Sequence, residues 1–325
     1  MPAQGYFDVL SPGVTAILLF AELPPWVRAA WIVPVGAVAA LGALGVLAAA
    51  VRLLMPKIAA IAQTTLKEAL AEPLFWVELV LGSLLLFALA FIPYNTFGDD
   101  VKVMKDSGLT LILLAGILLA VWTASVSVAD ELEGRTALTL LSKPMTRRQF
   151  LIGKFLGVLT PVYLLFVVLG VVFLVMVSFK VTFDAREAAL TGDLTRFCRQ
   201  EIEQVAPGLA LAYLETIVFS SISVAIATRL PMVPNLIVCA TIYVVGHLVP
   251  LFVQSSAGEQ PIVAFVGQVL ATVLPVLDHF TIQAAVAAGR EVPLRYVGTA
   301  AAYSAVYSAV VMLLGLLLFE DRDLG

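Results

Sequence analysis

Charge is what this sequence lacks most. Only 13% of its 325 residues are Asp, Glu, Lys or Arg, about half the share of an ordinary soluble domain, so a water-facing surface of normal polarity cannot be built from it. Histidine and cysteine are scarce, two of each. Cys198 lies in a polar stretch and Cys239 in an apolar one, with no metal-ligand spacing, so neither a metal site nor a disulfide between them is expected. Basic tracts are missing as well. The net charge of −4 is scattered over connecting segments, which argues against nucleic acid as a partner. The opening MPAQGYFD carries an acid and no base, so insertion through internal apolar segments is expected rather than through a cleavable signal. Short segments of alternating hydrophobicity, the mark of a membrane β-barrel, do not occur. Nor does a Gly-x-x-x-x-Gly-Lys-Ser/Thr phosphate loop, because Arg148 stands where Gly153-Lys154 would need a preceding glycine.

What the chain has in abundance is apolar length. Hydrophobic residues make up 61% of it and the mean hydropathy is +1.02. They fall into runs of about 20 residues, enough for a helix to cross a hydrocarbon core about 30 Å thick. Helices are expected because only they satisfy their own backbone hydrogen bonds in lipid. Spans are predicted at 29–54, 74–94, 109–128, 155–179, 206–228, 236–253 and 297–319. Residues 9–23 read as an interfacial or re-entrant piece, and 261–277 with 281–289 as a re-entrant hairpin. Between the first two spans, Ile58, Ala62, Leu66, Ala69 and Leu70 share one helical stripe, which predicts an amphipathic helix lying on the membrane surface. Pro73 ends it, and Trp76 and Tyr94 are placed as interfacial anchors of the second span.

The most polar block, 129–149, follows the third span. Leu132, Thr136, Leu140 and Leu141 recur at helical spacing while Glu131, Glu133, Arg135 and Lys143 face elsewhere, so a short amphipathic helix is expected, stopped by Pro144. Thr146 followed by Gln149 predicts a capping box that starts the next helix. A charged elbow between two spans would result. Lysine and arginine distribution places the surface helix, this block, Arg229 and the tail on the cytoplasmic side, with the amino terminus outside.

The stretch ADELEGRTALTLLSKPMTRRQFLIGKFLGVL resembles the intracellular loop of permeases of the type-2 ATP-binding-cassette (ABC-2) exporter superfamily, through Glu131, Glu133, Arg135, Thr136, Leu140, Leu141, Pro144, Arg147, Arg148, Gly153 and Lys154. IAQTTLKEALAEPLFW is similar to the family's entry helix, YVVGHLVPLF to its fifth common span and the terminal RDL to its tail. The nearest branch is the NosY-like one, named for multicopper enzyme maturation. The resemblance implies an all-α, polytopic, six-span permease over 58–325, with the amphipathic entry helix, and residues 1–57 carrying one extra amino-terminal transmembrane helix. It also implies a dimer of permeases, homodimeric or related heterodimeric, seated on two copies of an ABC ATPase subunit in the inner (cytoplasmic) membrane. The eleven residues named above would couple to the ATPase. ATP would be used by that partner, with no cofactor bound directly and no enzymatic activity in this chain.

Three ionisable residues interrupt the apolar runs: Glu78, Glu215 and His247. A charge at a helix centre costs about 2.5 to 3.5 kcal/mol on insertion scales, so these side chains should face protein, water or a partner, and they are candidates for a translocation path. A packed, hydrogen-bonded residue is the plainer reading of each. Two other classes fit the spans. A secondary, ion-coupled transporter would show internal repeats with paired broken helices, and none stands out. An intramembrane enzyme would need a convergent nucleophile-and-base or His-and-acid set, which two separated histidines do not supply.

Overall fold

A computed structural model describes residues 23–92, 94, 100–129, 146–187, 192–254, 265, 267, 269–270, 274–282 and 292–320. Among them the chain forms α1 (Pro25–Ala30), α2 (Ile32–Leu54), α3 (Pro56–Ala71), α4 (Pro73–Phe91), α5 (Asp100–Ala124), α6 (Arg147–Glu187), α7 (Leu194–Ala227), α8 (Met232–Gln254) and α9 (Leu294–Glu320). A five-residue π turn, Ser125–Ala129, continues α5, and a single 3-10 turn spans Leu277–His279. No strand occurs among the described residues. Six helical segments are long and apolar enough to cross a membrane: 25–54, 73–91, 100–128, 147–187, 194–227 and 294–320. Helix α8 is apolar too, over Met232–Leu248. The protein is an all-α, polytopic membrane protein.

Prolines punctuate the amino-terminal half. Pro25, Pro56 and Pro73 each stand in the first turn of a helix, where a missing N–H costs nothing. The chain turns at Met55 and again at Glu72, so α2, α3 and α4 are successive helices with almost no loop between them.

The spans depart from the sequence reading mainly by being longer. Asp100, Lys102 and Lys105, expected in a loop, occupy the first two turns of α5. Helix α6 has 41 residues, a rod of about 60 Å that is twice the hydrocarbon thickness. Residues 194–205, which lie between the predicted fourth and fifth spans, are fused to the fifth in α7, with Pro207 inside. The extensions hold because their charges are paired at one end of the bundle. Lys105, 3% exposed, bonds Glu201 of α7, and Lys180, 4% exposed, lies 3.1 Å from Asp184 and 3.7 Å from Asp100. Asp193 caps α7, its carboxylate accepting from the Arg196 N–H at 3.4 Å. Residues 9–22 of the amino-terminal piece and most of the proposed hairpin at 261–277 with 281–289 lie outside the described residues.

The core is built on α7, which packs against α9, α5 and α6, while α6 also carries α3 and α4. Helix α2 touches the bundle sparingly: Tyr163 donates to the Ala40 carbonyl at 3.0 Å, and Val38, Val46 and Leu53 stay exposed. Exposed rows on α4 (Val77, Leu81, Leu84) and α9 (Val306, Val310, Leu313, Leu317) complete an apolar girdle suited to lipid. Cys198 and Cys239 are buried, free and on different helices.

Candidate functional site

At one end of the bundle the π turn after α5, the starts of α6 and α8 and the ends of α7 and α9 come together. The segment from 130 to 145, which holds Glu131, Glu133, Arg135, Thr136, Leu140, Leu141 and Pro144, lies outside the described residues, but its two attachment points do not. The capping box is formed as predicted: Gln149 N–H donates to Thr146 Oγ1, and Thr146 N–H to Gln149 Oε1, both at 3.3 Å. Behind it, Val128, Phe150, Ala227 and Phe319 make a small separate apolar cluster drawn from four elements.

Arg147 and Arg148 begin α6 side by side but act differently. Arg148 is exposed. Arg147 turns onto the end of α9, where Nη1 donates to the carbonyls of Phe319 at 2.9 Å and Glu320 at 2.8 Å, with the guanidinium 5.4 Å from the Phe319 ring. Arg229, from the turn after α7, donates to the Leu318 carbonyl at 2.7 Å. Two cations therefore satisfy the last carbonyls of α9, where the helix dipole favours positive charge. The base of the elbow at Arg147, Arg229 and the end of α9 thus share one end of the bundle.

Gly153 and Lys154 lie deeper. A Cβ on Gly153 would fall 2.7 Å from Ile61 Cβ, and one on Gly157 2.6 Å from Thr65 Cβ, so these glycines let the surface helix α3 lie directly on the α6 backbone. Lys154, 2% exposed, is covered by the same contact, with Glu68 of α3 at 3.8 Å and the Phe150 ring at 5.7 Å. The buried face of α3 is accordingly Ile58, Ile61, Thr65 and Ala69. That face shares Ile58 and Ala69 with the predicted stripe of Ile58, Ala62, Leu66, Ala69 and Leu70 but is rotated from it by about 65° at 100° per residue, because close approach to two glycines outweighs maximal apolarity.

Just inside this end sits a buried polar knot that the sequence reading missed. Asn235 Nδ2 donates to Ser125 Oγ and Ser223 Oγ, each at 2.9 Å, while its Oδ1 accepts from the Cys239 thiol at 3.5 Å. All three polar residues are fully buried. Ser125 also opens the π turn, a local irregularity of the kind that recurs at functional positions. Asn235 directly follows Pro234 in a stretch read as a connector; a polar side chain at the foot of an apolar run was the signal available.

Of the three intramembrane candidates, the structure brings two together. Glu215 of α7, 2% exposed, has Oε1 3.8 Å from Nε2 of His247 on α8, beyond hydrogen-bonding distance, and that oxygen has no hydrogen-bond partner. Both border a cavity of about 110 Å³ that Thr110, Tyr243 and Phe280 also line. Glu78 lines none of it. It is buried on α4, 8% exposed, with neither carboxylate oxygen hydrogen-bonded. Thr110, Tyr243 and Phe280 were not picked out from sequence, since such residues in apolar runs read as ordinary packing.

Comparison with known proteins gives one family. The model described as ABC-2 family transporter protein matches residues 35–324, from within α2 to the end of the chain. No curated protein matches it.

Proposed function

Because this chain belongs to the ABC-2 family of transporter membrane proteins, we propose that it is the permease subunit of an ATP-driven exporter whose ATPase is a separate polypeptide. The observation that carries the reading is the convergence, at one end of the bundle, of the surface helix α3, the base of the charged elbow and the clasped end of α9. A soluble motor pressing there would meet α3 and α6 as a single unit and reach α5 through the π turn. Glu131, Glu133, Arg135, Thr136, Leu140, Leu141, Pro144 and Arg148 are assigned to contact with the motor. Arg147, Gly153 and Lys154 are assigned to holding the surfaces that receive the push.

On this reading the elbow end faces the cytoplasm, the membrane is the inner one, the amino terminus lies outside, and two permeases, taken as identical, stand on two ATPases that use the ATP. The wording of the elbow favours the NosY-like branch. Affinity purification of the tagged chain from gently solubilised membranes tests the proposal. A P-loop ATPase should co-purify with the wild type and be lost with Glu133→Lys and Arg147→Glu. Absence of any ATPase, together with proton-driven substrate uptake in vesicles without ATP, would replace it with an ion-coupled carrier.

A further inference from the structure

The Glu215–His247 cavity sets a buried carboxylate oxygen that has no hydrogen-bond partner among the described residues opposite an imidazole nitrogen. His247 Nδ1 lies 3.0 Å from the Tyr243 carbonyl oxygen, which can only accept, so Nδ1 carries a proton and in the neutral imidazole Nε2 is the acceptor that faces Glu215. Nε2 lies 3.8 Å from Glu215 Oε1, an oxygen that has no hydrogen-bond partner among the described residues and is all but removed from solvent. The nearby Thr110 hydroxyl is already spent, donating to the Asp106 carbonyl at 2.9 Å. A buried acceptor such as Glu215 Oε1 is costly unless a donor arrives.

The remaining walls describe that donor. Tyr243 and Phe280 place aromatic rings on the cavity, and aromatic faces attract cations. Leu109, Leu113 and Ile282 make most of the rest apolar, with Thr281 the remaining polar side chain. The volume, about 110 Å³, exceeds what a water or two needs and falls short of the roughly 300 Å³ of a drug-sized site, so a head group fits and a whole large ligand does not. Three helices and the segment at 280–282 supply these groups, so the arrangement is a product of the fold and not of one helix face.

We propose that this cavity recognises the ammonium head of an aliphatic or arylalkyl amine, with N–H groups bridging Glu215 and His247 and the adjoining carbons against the aromatic and aliphatic wall. The inference deepens the permease reading and rests on it for the conclusion that the amine is cargo; recognition of the amine itself does not need ATP or a partner chain.

The test is therefore a binding measurement on the purified full chain in lipid nanodiscs, using 2-phenylethylammonium against 2-phenylethanol and trimethyl(2-phenylethyl)ammonium. The first should bind saturably at one site per chain. The neutral alcohol, which has no charge, and the quaternary ion, which has no N–H, should bind at least about tenfold more weakly. Glu215→Gln should weaken the amine by roughly ten- to a hundredfold. Ala212→Leu, which fills the cavity and keeps the carboxylate, should abolish saturable binding. Equal binding of amine and quaternary ion to the wild type overturns the proposal, as does purely unsaturable partitioning. Unchanged amine affinity in a Glu215→Gln chain that melts with the wild type overturns it as well. Because the analogue series uses the unaltered chain, it decides the matter even where a variant fails to fold. Failure here leaves the permease reading standing, whereas loss of the ATPase partner leaves a positive binding result intact.

Discussion

Substituting alanine for Gly157 is the most direct probe of how the surface helix is seated. The new Cβ would lie 2.6 Å from Thr65 Cβ and 3.1 Å from the Ala62 carbonyl oxygen, whereas carbon atoms in good contact sit about 3.5 to 4.0 Å apart. Neither obstacle is the flexible tip of a side chain, so α3 must move away by about 1 Å. Overpacking of this kind costs about 1 to 3 kcal/mol, from which the helical preference of alanine over glycine recovers about 0.5 to 1 kcal/mol. A net destabilisation of about 0.5 to 2 kcal/mol is expected. Gly153→Ala meets a similar obstacle at 2.7 Å from Ile61 Cβ, and one outward shift of α3 relieves both, so the double variant should cost less than the sum.

Gly42 supplies the control, since an added Cβ there meets nothing within 4 Å. Gly42→Ala should be neutral or stabilising by up to about 1 kcal/mol. Unfolding of the purified chain in mixed micelles by titration with a denaturing detergent measures both signs in one assay. Equal shifts for Gly42→Ala and Gly157→Ala, or strict additivity of Gly153→Ala with Gly157→Ala, would show that α3 does not rest on the α6 backbone.

Four further outcomes follow from the same geometry. Replacing Arg147 and Arg229 together by alanine should cost about 1 to 2 kcal/mol and raise hydrogen exchange in the last turn of α9, because three carbonyl contacts are lost at its negative end. Lys105→Met should destabilise by about 1 to 3 kcal/mol by stranding Glu201, and adding Glu201→Leu should restore most of the loss in the same titration. Asn235→Leu should cost about 1 to 3 kcal/mol, since Ser125 and Ser223 lose the amide they accept from. Maleimide should leave Cys198 and Cys239 unlabelled in the native chain and label both after denaturation, as their burial requires.

The sequence made the solvent and the helices legible because both depend on composition and run length, which local counting captures. The capping box at Thr146 and Gln149 was legible for a similar reason: its two partners are three residues apart and need nothing else. Helix ends were less so. The extensions of α5, α6 and α7 depend on Lys105 meeting Glu201 and Lys180 meeting Asp100, pairs separated by about a hundred positions or more than half that, which no window contains. The face of α3 was misjudged because hydrophobic periodicity assumes the most apolar stripe is buried. Here the partner surface is two glycines, and small residues such as Ala69 and Thr65 approach it best. Of the intramembrane acids, polarity alone could not distinguish Glu215, which meets a histidine, from Glu78, which does not.

The polar knot and the cavity are two ends of one assembly. Ser125, Ser223 and Asn235 belong to the π turn on α5, to α7 and to α8, the same rods that present Thr110, Glu215 and His247 to the cavity. Along each rod the two positions are separated by roughly 12 to 22 Å at 1.5 Å per residue. A displacement entering through the segment that follows the π turn therefore cannot tilt α5 alone. Either the hydrogen bonds to Asn235 break in an interior without water to replace them, or α7 and α8 tilt with α5. Shared tilting changes the spacing between Glu215 and His247, where the gap is already a few tenths of an ångström too wide for a hydrogen bond. Closely packed interiors convert such small shifts into discrete alternatives rather than gradual ones. An amine bridging the two residues, with contacts of about 2.9 Å to each, would hold them about 4.5 to 5 Å apart, and a tilt that took them far from that spacing would release it.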